Sequence, residues 1–116
     1  MGTGRSLRQF NPNIQIIAVQ PDSPFHGLEG LKHMASSVQP GIYDPALADL
    51  TLSISTEQAQ VMTRRLARQE GLFVGVSSGA AVSAALKIAG ELREGLVVTV
   101  LPDAGYKYLS ENFWRD

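Results

Sequence analysis

The feature that most constrains this chain is the alternation of short β-branched apolar runs with stretches of helical periodicity. Residues 14–20 (IQIIAVQ), 50–55 (LTLSIS), 72–76 (LFVGV) and 96–101 (LVVTVL) each read as a strand. The runs 14–20 and 96–101 are mostly apolar without alternation, the pattern of a strand buried on both faces. Between them, residues 4–10 suggest a short polar helix with Leu7 and Phe10 on one face. It stops at Asn11-Pro12, because proline disfavours the α conformation in its predecessor. A longer helix is expected over 56–70, with Thr56 as its N-cap, Gln60 supporting the first turn, and Ala59, Met62, Leu66 and Ala67 facing inward. Gly71 is its natural stop.

Ser77-Ser78-Gly79 reads as a tight turn into a further helix over 80–92, whose small face (Ala80, Ala81, Ala84, Ala85) permits close packing. Residues 105–112 suggest a last short helix. Residues 21–48 differ, since Pro21, Pro24, Pro40, Pro45, Gly27, Gly30 and Gly41 break any long element there. One or two helical turns fit 28–34. Irregular stretches of this length in compact domains are usually functional or mobile.

Strands alternating with helices imply right-handed crossovers. The expected fold class is therefore α/β: three layers, a mainly parallel sheet and flanking helices. A length of 116 residues fits one domain. Ligands in such sheets bind outside the carboxyl ends of the strands, which directs attention to the segments after Gln20, Val76 and Leu101.

Charge and composition exclude several classes. Ten Lys and Arg oppose eleven Asp and Glu, for a net charge of -1, so there is no electrostatic footprint for nucleic acid or an anionic membrane. The absence of cysteine removes disulfides, thiolate zinc sites and a cysteine nucleophile. The histidines are His26 and His33, seven apart, which is not a ligand-pair spacing, and no metal site is expected. No apolar run approaches the roughly 20 residues needed to cross a bilayer. The start MGTGRSLRQF has no signal-peptide stretch, so a cytoplasmic location is expected.

Gly75-Val76-Ser77-Ser78-Gly79 matches G-x-S-x-G, a strand-to-helix nucleophile elbow. That chemistry needs a histidine after the serine in the chain, and none follows Ser77. A serine hydrolase is thereby disfavoured. Ser77 or Ser78 could instead cap the helix, or present a small polar group to a ligand cleft. Asp103, at the end of an apolar run, could cap the helix at Gly105 or sit in the same cleft. Lys32, Lys87 and Lys107 are the three lysines, and Glu29 with Lys32 fits a solvated pair. Gly2-Thr3-Gly4 is too short for a phosphate-loop reading and has no Gly-Lys-Ser/Thr after it.

Four segments together resemble the cysteine synthase (O-acetylserine sulfhydrylase) family, enzymes of the tryptophan-synthase-β fold group that depend on pyridoxal 5'-phosphate (PLP). Residues 70–81 (EGLFVGVSSGAA) are similar to the family's E-G-I/L-x-x-G-I/V-S-S/T-G-A segment. Residues 101–110 (LPDAGYKYLS) resemble its L-P-D/S-x-G-x-R/K-Y-L-S ending. Residues 40–44 (PGIYD) and 26–31 (HGLEGL) resemble its cleft-lining segment, and the run from Gly2 to Asn11-Pro12 resembles the helix after its phosphate loop.

The resemblance implies a single partial domain over 1–116, the C-terminal part of the large domain of a fold type II PLP enzyme. It implies Ser77 as a neutral hydrogen-bond partner for the pyridine nitrogen, which suits β-elimination rather than transamination. Gly30 is implied near cofactor and substrate, with Pro102 and Asp103 flanking the pyridine side. The reaction implied is a transferase step of cysteine biosynthesis, in which an O-activated L-serine and sulfide give L-cysteine. The family's S-x-K-D/Y-R lysine motif, T-S-G-N substrate loop and G-T-x-G-T phosphate loop do not occur in these residues. No catalytic residue is therefore assigned here, and the expectation is a fragment, inactive alone, that needs an N-terminal half or a homo-oligomer. The alternative is an interaction module that pairs with a full-length homologue.

Overall fold

A computed structural model describes residues 1–23, 27–28 and 31–115. Its elements are α1 (Gly2–Phe10), β1 (Ile17–Pro21), β2 (Leu50–Ile54), α2 (Thr56–Arg65) and α3 (Val76–Glu91). Short 3-10 turns span Met34–Ser36, Gly105–Tyr108 and Asn112–Arg115. The structure is α/β, with a parallel sheet and helices packed on it. β1 and β2 pair parallel, from Ile17 opposite Leu50 to Pro21 opposite Ile54.

β1 starts three residues later than the apolar run. The reason is Asp49, whose carboxylate accepts from the Ile16 amide at 2.7 Å and from Arg8 at 2.8 Å. The Ile16 carbonyl in turn accepts from the Asp49 amide at 2.8 Å. This side-chain clamp ties α1 to the strand entrance before the ladder begins.

α2 opens with a capping box. The Ser55 hydroxyl accepts from the Gln58 amide at 3.1 Å, and Gln58 Oε1 accepts from the Ser55 amide at 3.0 Å. The cap is therefore Ser55 with Gln58, not Thr56 with Gln60. Thr56 Oγ1 instead accepts from the Gly27 amide at 3.0 Å. The helix loosens into a π turn over Leu66–Glu70, then stops at Gly71, whose φ of 68° lies in the left-handed region.

α3 begins at Val76, four residues earlier than expected. Ser77-Ser78-Gly79 is its first turn, not a turn before it. The glycine is explained by packing. A Cβ at residue 79 would collide with Thr63 Oγ1 and the Ala59 carbonyl of α2. Gly79, Ala80 and Ala84 let the two helices approach closely, and Thr63, buried on α2, satisfies its hydroxyl by donating to the Ala59 carbonyl at 2.7 Å. The core is Leu28, Ile54, Ala59, Val76, Ala80, Ala84 and Phe113, with Val19, Leu31, Leu52 and Trp114 packed against it.

Two expected strands do not form. Residues 72–76 contribute a single antiparallel bridge, Val74 opposite Ala104, because α3 takes the chain from Val76 onward. Residues 96–101 join no sheet among the described residues, and Leu96, Val98 and Val100 are 88%, 79% and 74% exposed. The expected helix over 105–112 is instead the two 3-10 turns. The turns expected at 28–34 fall partly outside the described residues, and the described one covers Met34–Ser36. Among the described residues, no helix is long and apolar enough to cross a membrane, and no cluster of His, Asp and Glu could hold a metal ion.

Candidate functional site

Two of the three expected ligand segments meet. The Gly75 amide donates to the Asp103 carbonyl at 3.1 Å, and the Gly105 amide donates to the Phe73 carbonyl at 3.0 Å. With the Val74–Ala104 bridge between them, these bonds lash residues 73–75 to 103–105 at the N-terminus of α3. Pro102 is exposed and adjoins this junction.

Ser77 lies half-buried in the first turn of α3. The N-cap is Gly75, and no side chain caps the helix, so neither Ser77 nor Ser78 plays the capping role open to it from sequence. The Ser77 hydroxyl is thus not consumed by the helix start. Ser78 is fully buried and its Oγ has no partner among the described residues.

Asp103 does not cap the turn at Gly105, whose N-cap is Ala104 with no side-chain bond. Its Oδ2 accepts from the Tyr108 hydroxyl. Its Oδ1 is buried without a partner among the described residues and fills the space that a Cβ on Gly75 would need. A carboxylate is favoured there by the positive end of a 16-residue helix. Tyr108 is held from behind, since the Trp114 indole donates to its carbonyl at 2.8 Å. Trp114 in turn packs on Phe73 and Phe113, with ring centroids 5.2 and 4.7 Å away. Arg64 of α2 donates to the Phe113 carbonyl at 2.8 Å and ties this strap down.

Tyr108 sits inside the Tyr-Lys-Tyr-Leu-Ser run, yet no local pattern distinguishes it from Tyr106. Gly30 and His26 lie outside the described residues. His33 shares a hydrogen bond with Ser36 at 3.0 Å in its own loop. Lys32, Lys87 and Lys107 are all exposed.

The Ser77 hydroxyl has the chemistry to bond the nitrogen of a pyridine ring such as that of PLP. A half-buried neutral hydroxyl at a helix start can bond a ring nitrogen without fixing a proton on it. Among the described residues no buried lysine accompanies it.

The profile of the pyridoxal-phosphate dependent enzymes matches residues 1–103. The chain belongs to that family. Within it, the chain is 51% identical over 120 residues to a cysteine synthase of Aquifex aeolicus, a match covering all of this chain and 37% of that protein. The fold superposes on a cysteine synthase of Entamoeba histolytica with a TM-score of 0.89 at 29% identity, over 99% of this chain and 36% of that one. It superposes on an O-ureido-L-serine synthase with a TM-score of 0.87 at 35% identity, over 99% and 39%. The chain thus spans little more than a third of the length of these relatives.

Proposed function

We propose that this chain is the C-terminal portion of the large domain of a cysteine synthase, contributing one wall of a PLP site. The observation that carries the reading is the 51% identity to a cysteine synthase along the whole of this chain. The complete enzyme would replace the leaving group of an O-activated L-serine with sulfide, working in the cytoplasm on small amino-acid substrates. PLP, when bound, supplies the electron sink for that β-replacement.

This chain's own residues would orient the ring. Ser77 would hold the pyridine nitrogen with a neutral hydroxyl, and Gly30, Pro102 and Asp103 would flank the cofactor. Asp103 would be held in that flanking place by Tyr108 through its side chain and by Gly75 through its carbonyl. The covalent anchor and the phosphate contacts come from outside these residues, so the chain alone is inactive and needs an N-terminal half.

A borohydride trap tests this. The purified chain is mixed with PLP and reduced, and adducts are located by mass spectrometry. No site-specific adduct is expected. A stoichiometric adduct on Lys32, Lys87 or Lys107 would overturn the assignment of the anchor to another segment.

A further inference from the structure

Asp103 carries a carboxylate close to a place that the family reading gives to a neutral group. Its carbonyl accepts from the Gly75 amide at 3.1 Å, which fixes it to the N-cap of α3, just before Ser77. A carboxylate and a hydroxyl act in opposite ways on a pyridine nitrogen. A carboxylate facing the ring holds a proton on it, because an opposite charge favours the charged form, and an Asp partner is used in that way where PLP works as a pyridinium. A hydroxyl can donate to the nitrogen and leave it neutral. A site that works through Ser77 therefore has to keep Asp103 turned away from the nitrogen.

The means of doing so is Tyr108. Asp103 Oδ2 accepts from the Tyr108 hydroxyl, while Oδ1 has no partner among the described residues, so the tyrosine bond orients the group. Oδ1 lies in the notch left by the missing side chain of Gly75, and the Tyr108 ring lines the same notch, its Cε2 2.7 Å from where a Cβ would stand. Tyr108 is also fixed through its backbone. Its carbonyl accepts from the Trp114 indole at 2.8 Å, and the adjacent Phe113 carbonyl accepts from Arg64 of α2 at 2.8 Å. The ring is thus anchored independently of its hydroxyl, and removing that hydroxyl releases the carboxylate alone. Tyr106, in the same turn, is 64% exposed and makes a matched control.

We propose that Tyr108 is a positioning residue that sets the reaction type of the completed site: its hydroxyl keeps the Asp103 carboxylate in the Gly75 notch and leaves the ring nitrogen to the neutral hydroxyl of Ser77. This rests on the family reading above. Without the Tyr108 hydroxyl, the carboxylate is free to turn toward Ser77 and to hold there a proton taken from solvent. A neutral nitrogen suits elimination, whereas a protonated one makes the ring a deeper electron sink and opens transamination.

The test uses PLP isotopically labelled at its ring nitrogen. It is added to the complex of this chain with the N-terminal half proposed above, supplied as the part of the Aquifex aeolicus relative that the match leaves uncovered. The nitrogen resonance is read by NMR at neutral pH. It is expected at the neutral pyridine position in the unsubstituted complex and in Tyr106→Phe. Tyr108→Phe should move it upfield to the pyridinium position, and Asp103→Asn added to Tyr108→Phe should return it. A merely structural loss would weaken binding without moving the nitrogen. If Tyr108→Phe loses its native circular dichroism, Asp103→Asn alone decides. An unmoved nitrogen then supports the proposal, and a moved one shows the carboxylate already facing the ring and overturns it.

The proposal is also overturned if the nitrogen of the unsubstituted complex already carries a proton, or if Tyr108→Phe folds and leaves it neutral. In both cases PLP is bound and the family reading stands. A complex that takes up no PLP overturns the family reading, and the proposal with it.

Discussion

Tyr108 donates its hydroxyl to the carboxylate of Asp103, and that single bond aims the other carboxylate oxygen at the one position before α3 where no side chain fits. Residue 75 has φ -80° and ψ 174°, backbone angles that any residue adopts. Glycine is required there by space alone.

Gly75→Ala should therefore destabilise the fold by about 1–3 kcal/mol, the usual cost of overpacking. The new Cβ meets Tyr108 Cε2 at 2.7 Å as well as the Asp103 carboxylate. Urea unfolding followed by circular dichroism measures it, and an unchanged midpoint would mean that the strap yields freely.

Removing the Tyr108 hydroxyl acts on the same contact from the other side. Tyr108→Phe leaves the part-buried Asp103 carboxylate short of its donor and should cost about 1–3 kcal/mol. Tyr108→Phe combined with Asp103→Ala should cost less than the two single changes added together, because they share one interaction. A double-mutant cycle in urea reads that coupling.

Gly79→Ala and Gly90→Ala make a matched pair on one helix. At residue 79 the added methyl strikes α2, including the Thr63 amide nitrogen at 3.1 Å, whereas at residue 90 it meets nothing within 4 Å. The first should lower stability by about 3 kcal/mol or abolish folding. The second should raise it by up to about 1 kcal/mol, since alanine is the better helix former. Thermal melts of the two proteins should move in opposite directions.

Ser55→Ala removes the acceptor of the capping box and should cost about 1 kcal/mol. Ser55→Asp should restore most of it, and Thr56→Ala should leave the helix start intact. Helix content against urea distinguishes the two neighbouring positions.

Ser77→Ala should leave the melting curve within about 0.5 kcal/mol of the parent, since the hydroxyl neither caps α3 nor lies fully buried. In a complex reconstituted with the N-terminal half proposed above, it should weaken PLP binding by about 3- to 10-fold, the worth of one hydrogen bond. Spectrophotometric PLP titration measures it.

Local chemistry made much of this fold legible in the sequence. The pairing strands announce themselves by β-branched runs, and the end of the second helical stretch by Gly71. The start of α2 could also be placed, though one residue off, because Ser55 and Thr56 are both good caps and only the reciprocal bond with Gln58 separates them. What escaped is non-local. Gly79 looks like turn chemistry until α2 is seen lying against it. Residues 96–101 carry a strand's composition, but a strand is completed by neighbours, and composition cannot supply them. The bond between Asp103 and Tyr108 spans five residues across an irregular turn, a spacing with no periodic signature. The site's family character was legible through the run from Glu70 to Ala81, whereas the wall behind Ser77 was not.

Trp114 is the one tryptophan in the chain, and it is wedged between Phe73 and Phe113 while holding the carbonyl of Tyr108. Its emission is therefore a private reporter on the last dozen residues. Because Tyr108 leads on to Asp103 and Gly75, a red shift that precedes the loss of helix signal would mark the moment that the junction beside Ser77 comes loose, seen by light from a side chain that packs against it.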